Sequence, residues 1–218
     1  MLQTDLTAST RRLPPLSPTR VGKGFSIVDR DPYTRDGIEK RIRQAYRQHF
    51  GACIKGFMAR FACYTHESGA SGVLGMRCAG EEPLFLERYL AEPIEETIRS
   101  VTGLPVSRNA IAEVGQFAVD DPRTAADMFR DLVPFLVEQG FDWVCFTGTI
   151  RVRAILSRLG FHGLPVALGD PLAGSDSGDD WGSYYDNAPV VIVGKLADPA
   201  GYWCGSCMDR APAGAHGA

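Results

Sequence analysis

No apolar run in these 218 residues approaches the roughly 20 needed to cross a bilayer as a helix. The opening stretch "MLQTDLTASTRRLPPLSPTR" lacks the apolar core of a secretory signal and reads as a polar, proline-bearing lead. There is no excess of positive charge: the formal net charge of −3 provides no basic field for nucleic acid. Histidine is scarce, and the four present show no metal-ligand spacing, so no metal site is expected. Internal repeats, a dividing linker and a glycine-rich phosphate loop are also missing. The six cysteines, in a chain with no export signal, point to free thiols in a reducing, cytoplasmic setting.

What is present is ordinary globular usage, 44% hydrophobic, which excludes wholesale disorder and suits one domain of this length. "FSIVD" at 25–29 reads as a short strand. Asp36 and Glu39 have capping-box spacing, and Ile38, Ile42, Ala45, Tyr46 and Phe50 follow at helical intervals up to Gly51, with Arg41, Arg43 and Arg47 mostly opposite. "MARFACYTHE" and "GVLGMRCAG" form a hairpin across "SGASG". "EPIEETIRSVTG" is a helix with Pro93 in its first turn and Gly103 beyond its end. Residues 122–139 form another, with Met128, Phe129, Leu132, Leu136 and Val137 inward and a kink expected at Pro134. "DWVCFTGT" is a strand buried on both faces, "RVRAILSRLG" a short helix, and "PVVIVGKL" a last strand after a loop-rich region. The order β-α-β-β-α-β-α-β-α-β predicts a single-domain α/β fold over residues 23–198, with a flexible lead at 1–22 and a flexible tail at 199–218.

The informative stretch is "IAEVGQFAVDDPRTAADMF", residues 111–129. Strand alternation places Ile111, Glu113, Gly115 and Phe117 on one face, and Ala112, Val114, Gln116 and Ala118 on the other. An unpaired carboxylate in an apolar strand is costly. Two explanations stand. Glu113 borders a substrate cleft as a base whose pKa burial raises, or it pairs with an arginine such as Arg60 or Arg77 on a neighbouring strand. Gly115 suggests a bulge or the close approach of another group. The next helix is capped by Asp120 or Asp121, and its N-terminus with Arg123 is a candidate phosphate site, a weak signal because every helix has such an end.

Three further groups are candidates. In "DDWGSYYDNAP", Trp181, Tyr184 and Tyr185 are suited to wall an amine pocket, with Asp180 or Asp186 holding the ammonium; Tyr184 is a candidate acid for a leaving thiolate. The bland alternative is that these aromatics seal a sheet edge. Thr147, Thr149, Arg151 and Arg153 stand at a strand end, where ligands gather in open α/β sheets, although a simple helix cap explains them equally well. "CGSC" at 204–207 has redox-motif spacing in the wrong context, a Gly/Ala/Pro-rich tail; His66 and His162 read as surface or hinge residues, with His162 able to line the cleft.

Taken in order, "AEVGQFA", "WVCFTGTIRVRAILSRLGF", "DPLAG", "WGSYYD" and "PVVIVGKL" resemble the thermostable hemolysin family, from about Phe25 to Leu196. That family in turn is similar to the GNAT acyltransferases and, more closely, to the acyl-homoserine-lactone synthases. The resemblance implies a GNAT-like mixed sheet flanked by helices, with the Glu113 strand and "DWVCFTGT" splayed apart to hold a pantetheine arm. It also implies an N-acyltransferase moving an acyl group from acyl-CoA or an acyl carrier protein to an amine or amino acid. In this picture Glu113 and Tyr184 are catalytic, and Gln116, Phe117, Ala118, Arg123, Thr147, Thr149, Arg151, Arg153, Trp181 and Tyr185 bind substrate. The thioester is a co-substrate, and no cofactor is bound permanently. The glycine-bearing pyrophosphate pattern of GNAT enzymes is replaced by "VDDPRTAAD", which favours a carrier-protein donor or one held mainly by its acyl and pantetheine parts. The alternative function is a membrane-active, lipid-binding protein without catalysis.

Overall fold

The computed structural model describes residues 24–28, 32–173 and 179–196. The lead and the tail, with its "CGSC" segment, lie outside these residues.

Seven strands form one mixed sheet: β1 (Gly24–Val28), β2 (Arg60–Thr65), β3 (Ser71–Cys78), β4 (Ile111–Val119), β5 (Trp143–Gly148), β6 (Leu164–Leu168) and β7 (Val190–Lys195), in the order β1-β2-β3-β4-β5-β7-β6. Four helices, α1 (Pro32–Phe50), α2 (Ile94–Thr102), α3 (Pro122–Glu138) and α4 (Ile150–Arg158), cover its two faces. The β4–β5 pair is parallel, joined by α3; the other pairs are antiparallel.

Periodicity accounts for most of this. On α1, Ile38 and Ile42 are fully buried and pack with Ala45 on Phe61, Cys63, Val73 and Ala118. Burying each such isoleucine contributes about 1.5–3 kcal/mol. Ile94 and Ile98 of α2 seat on Ile111, Trp143 and Cys145 of the same sheet face. The opposite face, with Val114, Val144, Phe146 and Ile192, takes Met128, Phe129, Leu132 and Leu136 of α3 and Leu156 of α4.

Several expectations are corrected. Helix α1 starts at Pro32, a turn before the Asp36 capping box, because proline suits a first turn whose amides are unpaired anyway. Arg41 is not on the outer face: it is 0% exposed, and its Nη2 donates to Asp120 Oδ1 at 2.9 Å and to the Ser71 carbonyl at 2.8 Å. Pro93 is the N-cap of α2 and not inside its first turn. On α3 the buried set also includes Val133, Val137 packs on the core while partly covered, and Pro134 lies exposed within the helix. Strand β6 lies where a loop was expected; Pro165 is tolerated because β6 is an edge strand paired only with β7, with a register shift between Pro165 and Ala167.

Strand β4 departs most from simple alternation. Gly75 pairs with Gly115 and Val73 with Ala118, so Leu74 alone stands opposite Gln116 and Phe117. This is a β-bulge, and Gln116 takes the left-handed backbone at φ 52°. The extra residue reverses the faces beyond it. Phe117 turns to the α3 side, packing edge-to-face on Phe129 with ring centroids 5.0 Å apart, while Ala118 goes under α1.

Candidate active site

Strands β4 and β5 are in register only over Ile111–Trp143, Ala112–Val144 and Glu113–Cys145. Beyond Glu113 the two strands part, while β4 continues to pair with β3 and β5 with β7. The gap is part of a cavity of about 430 Å³, large enough for a small-molecule ligand. Its walls come from the last turns of α1 (Tyr46, His49, Phe50), the segment 56–58, and a 3-10 turn at Phe85–Tyr89. They are completed by β4, by the β5–α4 junction and by Asp179, Trp181, Tyr184 and Asn187.

Glu113 sits where the strands divide, 2% exposed. Its carboxyl accepts from the backbone amides of Phe85 (2.8 Å) and Leu86 (2.9 Å), at the start of the 3-10 turn. Neither candidate arginine forms a salt bridge to it: Arg77 reaches Glu82 and the Pro83 carbonyl, and Arg60 pairs with Glu81. Burial raises the Glu113 pKa to about 7, against the lowering effect of the two amides and the nearby Arg77 charge. The carboxyl is therefore poised to exchange a proton near neutrality.

Gly115 does mark a close approach, but by Met58: a Cβ there would lie 3.0 Å from the Met58 methyl, and one at Gly75 would lie 2.8 Å from its sulfur. The two cross-strand glycines seat this side chain on the cavity wall. Gln116 lines the cavity with its amide committed, donating to the Gly56 carbonyl (2.8 Å) and accepting from the Met58 amide (3.0 Å). Its bulged backbone thus fixes the 56–58 wall.

Of the other sequence candidates, Phe117, Thr147, Thr149, Arg151, Trp181 and Tyr184 line the cavity. Tyr184 is 8% exposed, donates to the Thr147 carbonyl at 3.3 Å, and is raised well above the ordinary tyrosine pKa by burial. Four are not brought to the cavity wall. Ala118 is buried beneath α1, and Arg153 donates to the Ala188 carbonyl. Tyr185 shares a 2.8 Å hydrogen bond with Tyr89, and Arg123 lies exposed at the start of α3. There Asp121 is the N-cap, its Oδ1 accepting from the amides of Arg123 (2.8 Å) and Thr124 (3.0 Å), whereas Asp120 serves Arg41. Asp180 accepts from the Gly182 amide, Asp186 and His162 are exposed, and His66 faces Asp127.

Tyr46, His49, Phe50, Met58, Phe85, Arg88 and Asp179 also stand on the cavity wall, a role their sequence pattern did not reveal. A usable signal was Tyr46–His49–Phe50 at i, i+3, i+4, an aromatic stripe at a helix end. His49 is held below its ordinary pKa by burial and by Arg151, so it is neutral near pH 7. Buried polar atoms without a hydrogen-bond partner among the described residues gather here: Arg77 Nε, Arg88 Nη1, Thr147 Oγ1 and Trp181 Nε1. Arg88 lies over the Phe85 ring at 3.8 Å, and Phe85 packs against Trp181 at 5.5 Å, so the two free donors of Arg88 and Trp181 flank one aromatic ring.

Solved structures with this architecture include FeeM, an N-acyl amino acid synthase from uncultured soil microbes, at 20% identity and TM-score 0.52, covering 81% of this chain and 97% of that one. The acyl-homoserine-lactone synthase LasI matches at 10% identity and TM-score 0.50, covering 81% and 92%. BjaI, a CoA-dependent acyl-homoserine-lactone synthase solved with SAM and isopentyl-CoA, matches at 12% and 0.50, covering 81% and 84%. At such identities the likeness establishes the fold, a GNAT-like sheet. No curated protein matches the sequence. The family profile for thermostable hemolysin matches residues 28–200, most of the chain, and the protein therefore belongs to the thermostable hemolysin family.

Proposed function

We propose that the protein is an N-acyltransferase that moves an acyl group from a pantetheine thioester, on CoA or a carrier protein, to an amine that also bears a carboxylate. The observation that carries this reading is a buried carboxyl with a pKa of about 7 at the point where β4 and β5 separate, facing a cavity of about 430 Å³. The pantetheine arm lies in the gap, where backbone groups of β4 and β5 have no strand partner across it. The acyl tail lies against Val114 and Phe117, the apolar cavity residues that border the core side chains Phe129, Val144 and Phe146 beneath α3.

The acceptor nitrogen attacks the thioester carbon, forming the C–N bond; Glu113 takes the proton the nitrogen sheds, and collapse of the tetrahedral intermediate breaks the C–S bond. Strand amides in the gap stabilise the oxyanion. Tyr184, kept protonated by burial, supplies a proton to the departing thiolate. The acceptor's carboxylate is met by Arg88 and Trp181, whose free donors would otherwise remain desolvated at a cost of about 1–3 kcal/mol each.

The test incubates purified protein with acyl-CoA and acyl-carrier donors against a panel of amines and amino acids, with products identified by mass spectrometry. An amide product is expected, with a loss of about 100-fold or more in kcat for Glu113→Gln. Full activity in that variant would remove Glu113 as the base. Donor-independent liposome leakage, unchanged in the variant, would instead favour the membrane-active alternative; no described helix is long and apolar enough to cross a membrane.

A further inference from the structure

Helices α3 and α4 both begin at the open end of the parted strands, each directly after the strand it follows. Their first turns differ. At α3 the amides of Arg123 and Thr124 are taken by the Asp121 carboxylate, whose charge also opposes a second anion. At α4 the cap residue Thr149 makes no side-chain cap bond, and the first amide with a backbone acceptor is Arg153, bonded to the Thr149 carbonyl at 3.0 Å. The amides of Ile150, Arg151 and Val152 thus face the N-terminal end of the dipole without acceptors among the described residues.

A second, independent observation stands beside this. Thr149 is 6% exposed, lines the cavity, and its hydroxyl has no hydrogen-bond partner among the described residues. Two residues earlier the Thr147 hydroxyl is buried and equally unpaired. Arg151 also lines the cavity and has no ion pair among the described residues. Free amides, two hydroxyls and a guanidinium at one end of the gap make a cradle for a tetrahedral anion.

We propose that the N-terminus of α4, with Thr147, Thr149 and Arg151, binds the phosphate of a 4′-phosphopantetheine arm, in place of α3. This rests on the thioester-donor reading above. The same phosphate occurs in free CoA and on a carrier protein, and the cradle recognises the chemistry common to both.

Calorimetry with pantetheine, 4′-phosphopantetheine, CoA and a phosphopantetheinylated carrier protein tests it without turnover. The phosphorylated arm should bind at least about tenfold more tightly than pantetheine, since hydrogen bonds to a charged group contribute about 1.5–3 kcal/mol. Thr149→Val and Arg151→Gln should each erode that advantage, Thr149→Ser should retain it, and Arg123→Ala should leave it intact; circular dichroism confirms that each variant is folded. Binding by CoA alone or by the carrier alone identifies the source, and either supports the site. Equal binding of pantetheine and its phosphate overturns the anion site and leaves the donor reading standing. Loss of the advantage in Arg123→Ala but not in Thr149→Val places the phosphate at α3 and also overturns it. Failure of every pantetheine compound to bind overturns both.

Discussion

Glu113 serves two demands that pull against each other. As an acceptor for the Phe85 and Leu86 amides it is most effective when ionised, yet its burial disfavours that charge. Burial prevails, and the consequence is measurable in stability. Below about pH 4.5 the carboxyl is protonated in both folded and unfolded chains; from there to about pH 7 the unfolded chain gives up the proton while the folded chain keeps it. Stability from this group is therefore fully present below pH 4.5 and is lost as pH rises toward 7, by something on the order of 3 kcal/mol. Glu113→Gln removes the titration but leaves one turn amide without an acceptor, costing about 1–3 kcal/mol. Denaturant unfolding from pH 4 to 8 should show the variant starting below the wild type and approaching it as pH rises; parallel curves would refute the assignment. In catalysis the same titration predicts a rate that climbs through about pH 7 as the base form appears.

Among the elements, the bulge in β4 is the decisive irregularity. It turns Phe117 away from the Glu113 face and lets the Gln116 side chain tie down the Gly56–Met58 wall. The glycine pair beneath Met58 provides a graded test. At Gly75 an added Cβ meets the sulfur at 2.8 Å and the stem carbons at 3.0 Å, atoms that cannot all move aside. At Gly115 it meets only the terminal methyl closely, at 3.0 Å. Gly75→Ala should therefore cost about 1–3 kcal/mol and Gly115→Ala clearly less, read from urea midpoints. Equal costs would mean that Met58 is not seated as described. Element types and order were legible in the sequence because a half-buried helix or strand repeats its pattern every few residues. The bulge was not, since "EVGQFA" alternates as well with an extra residue as without one, and β6 was hidden by a proline that only an edge strand accepts.

In the whole molecule, the cavity is assembled from segments far apart in the chain, and buried polar ties hold them in place. Arg41 on α1 reaches Asp120, at the β4–α3 junction, and the start of β3, fastening one wall to the sheet. Arg41→Met, close in volume but uncharged, should destabilise the protein by about 3 kcal/mol, near the lower end for a broken buried pair because Asp120 is 22% exposed and retains the Ser71 amide and hydroxyl. Calorimetric melting would check this, and an unchanged midpoint would show that the tie is inert.

The sequence by itself determined the α/β class and the anomalous acid at position 113, because both are written in local pattern and composition. Only the tertiary structure decided that Arg77 and Arg60 leave Glu113 to the amides of a turn, that Arg123 and Arg153 stand off the cavity, and that Arg88, His49 and Asp179 enter it. Such choices depend on which distant segments come within hydrogen-bonding reach, and hydrogen bonding acts over about 3 Å, a scale on which one extra residue in a strand exchanges its two faces.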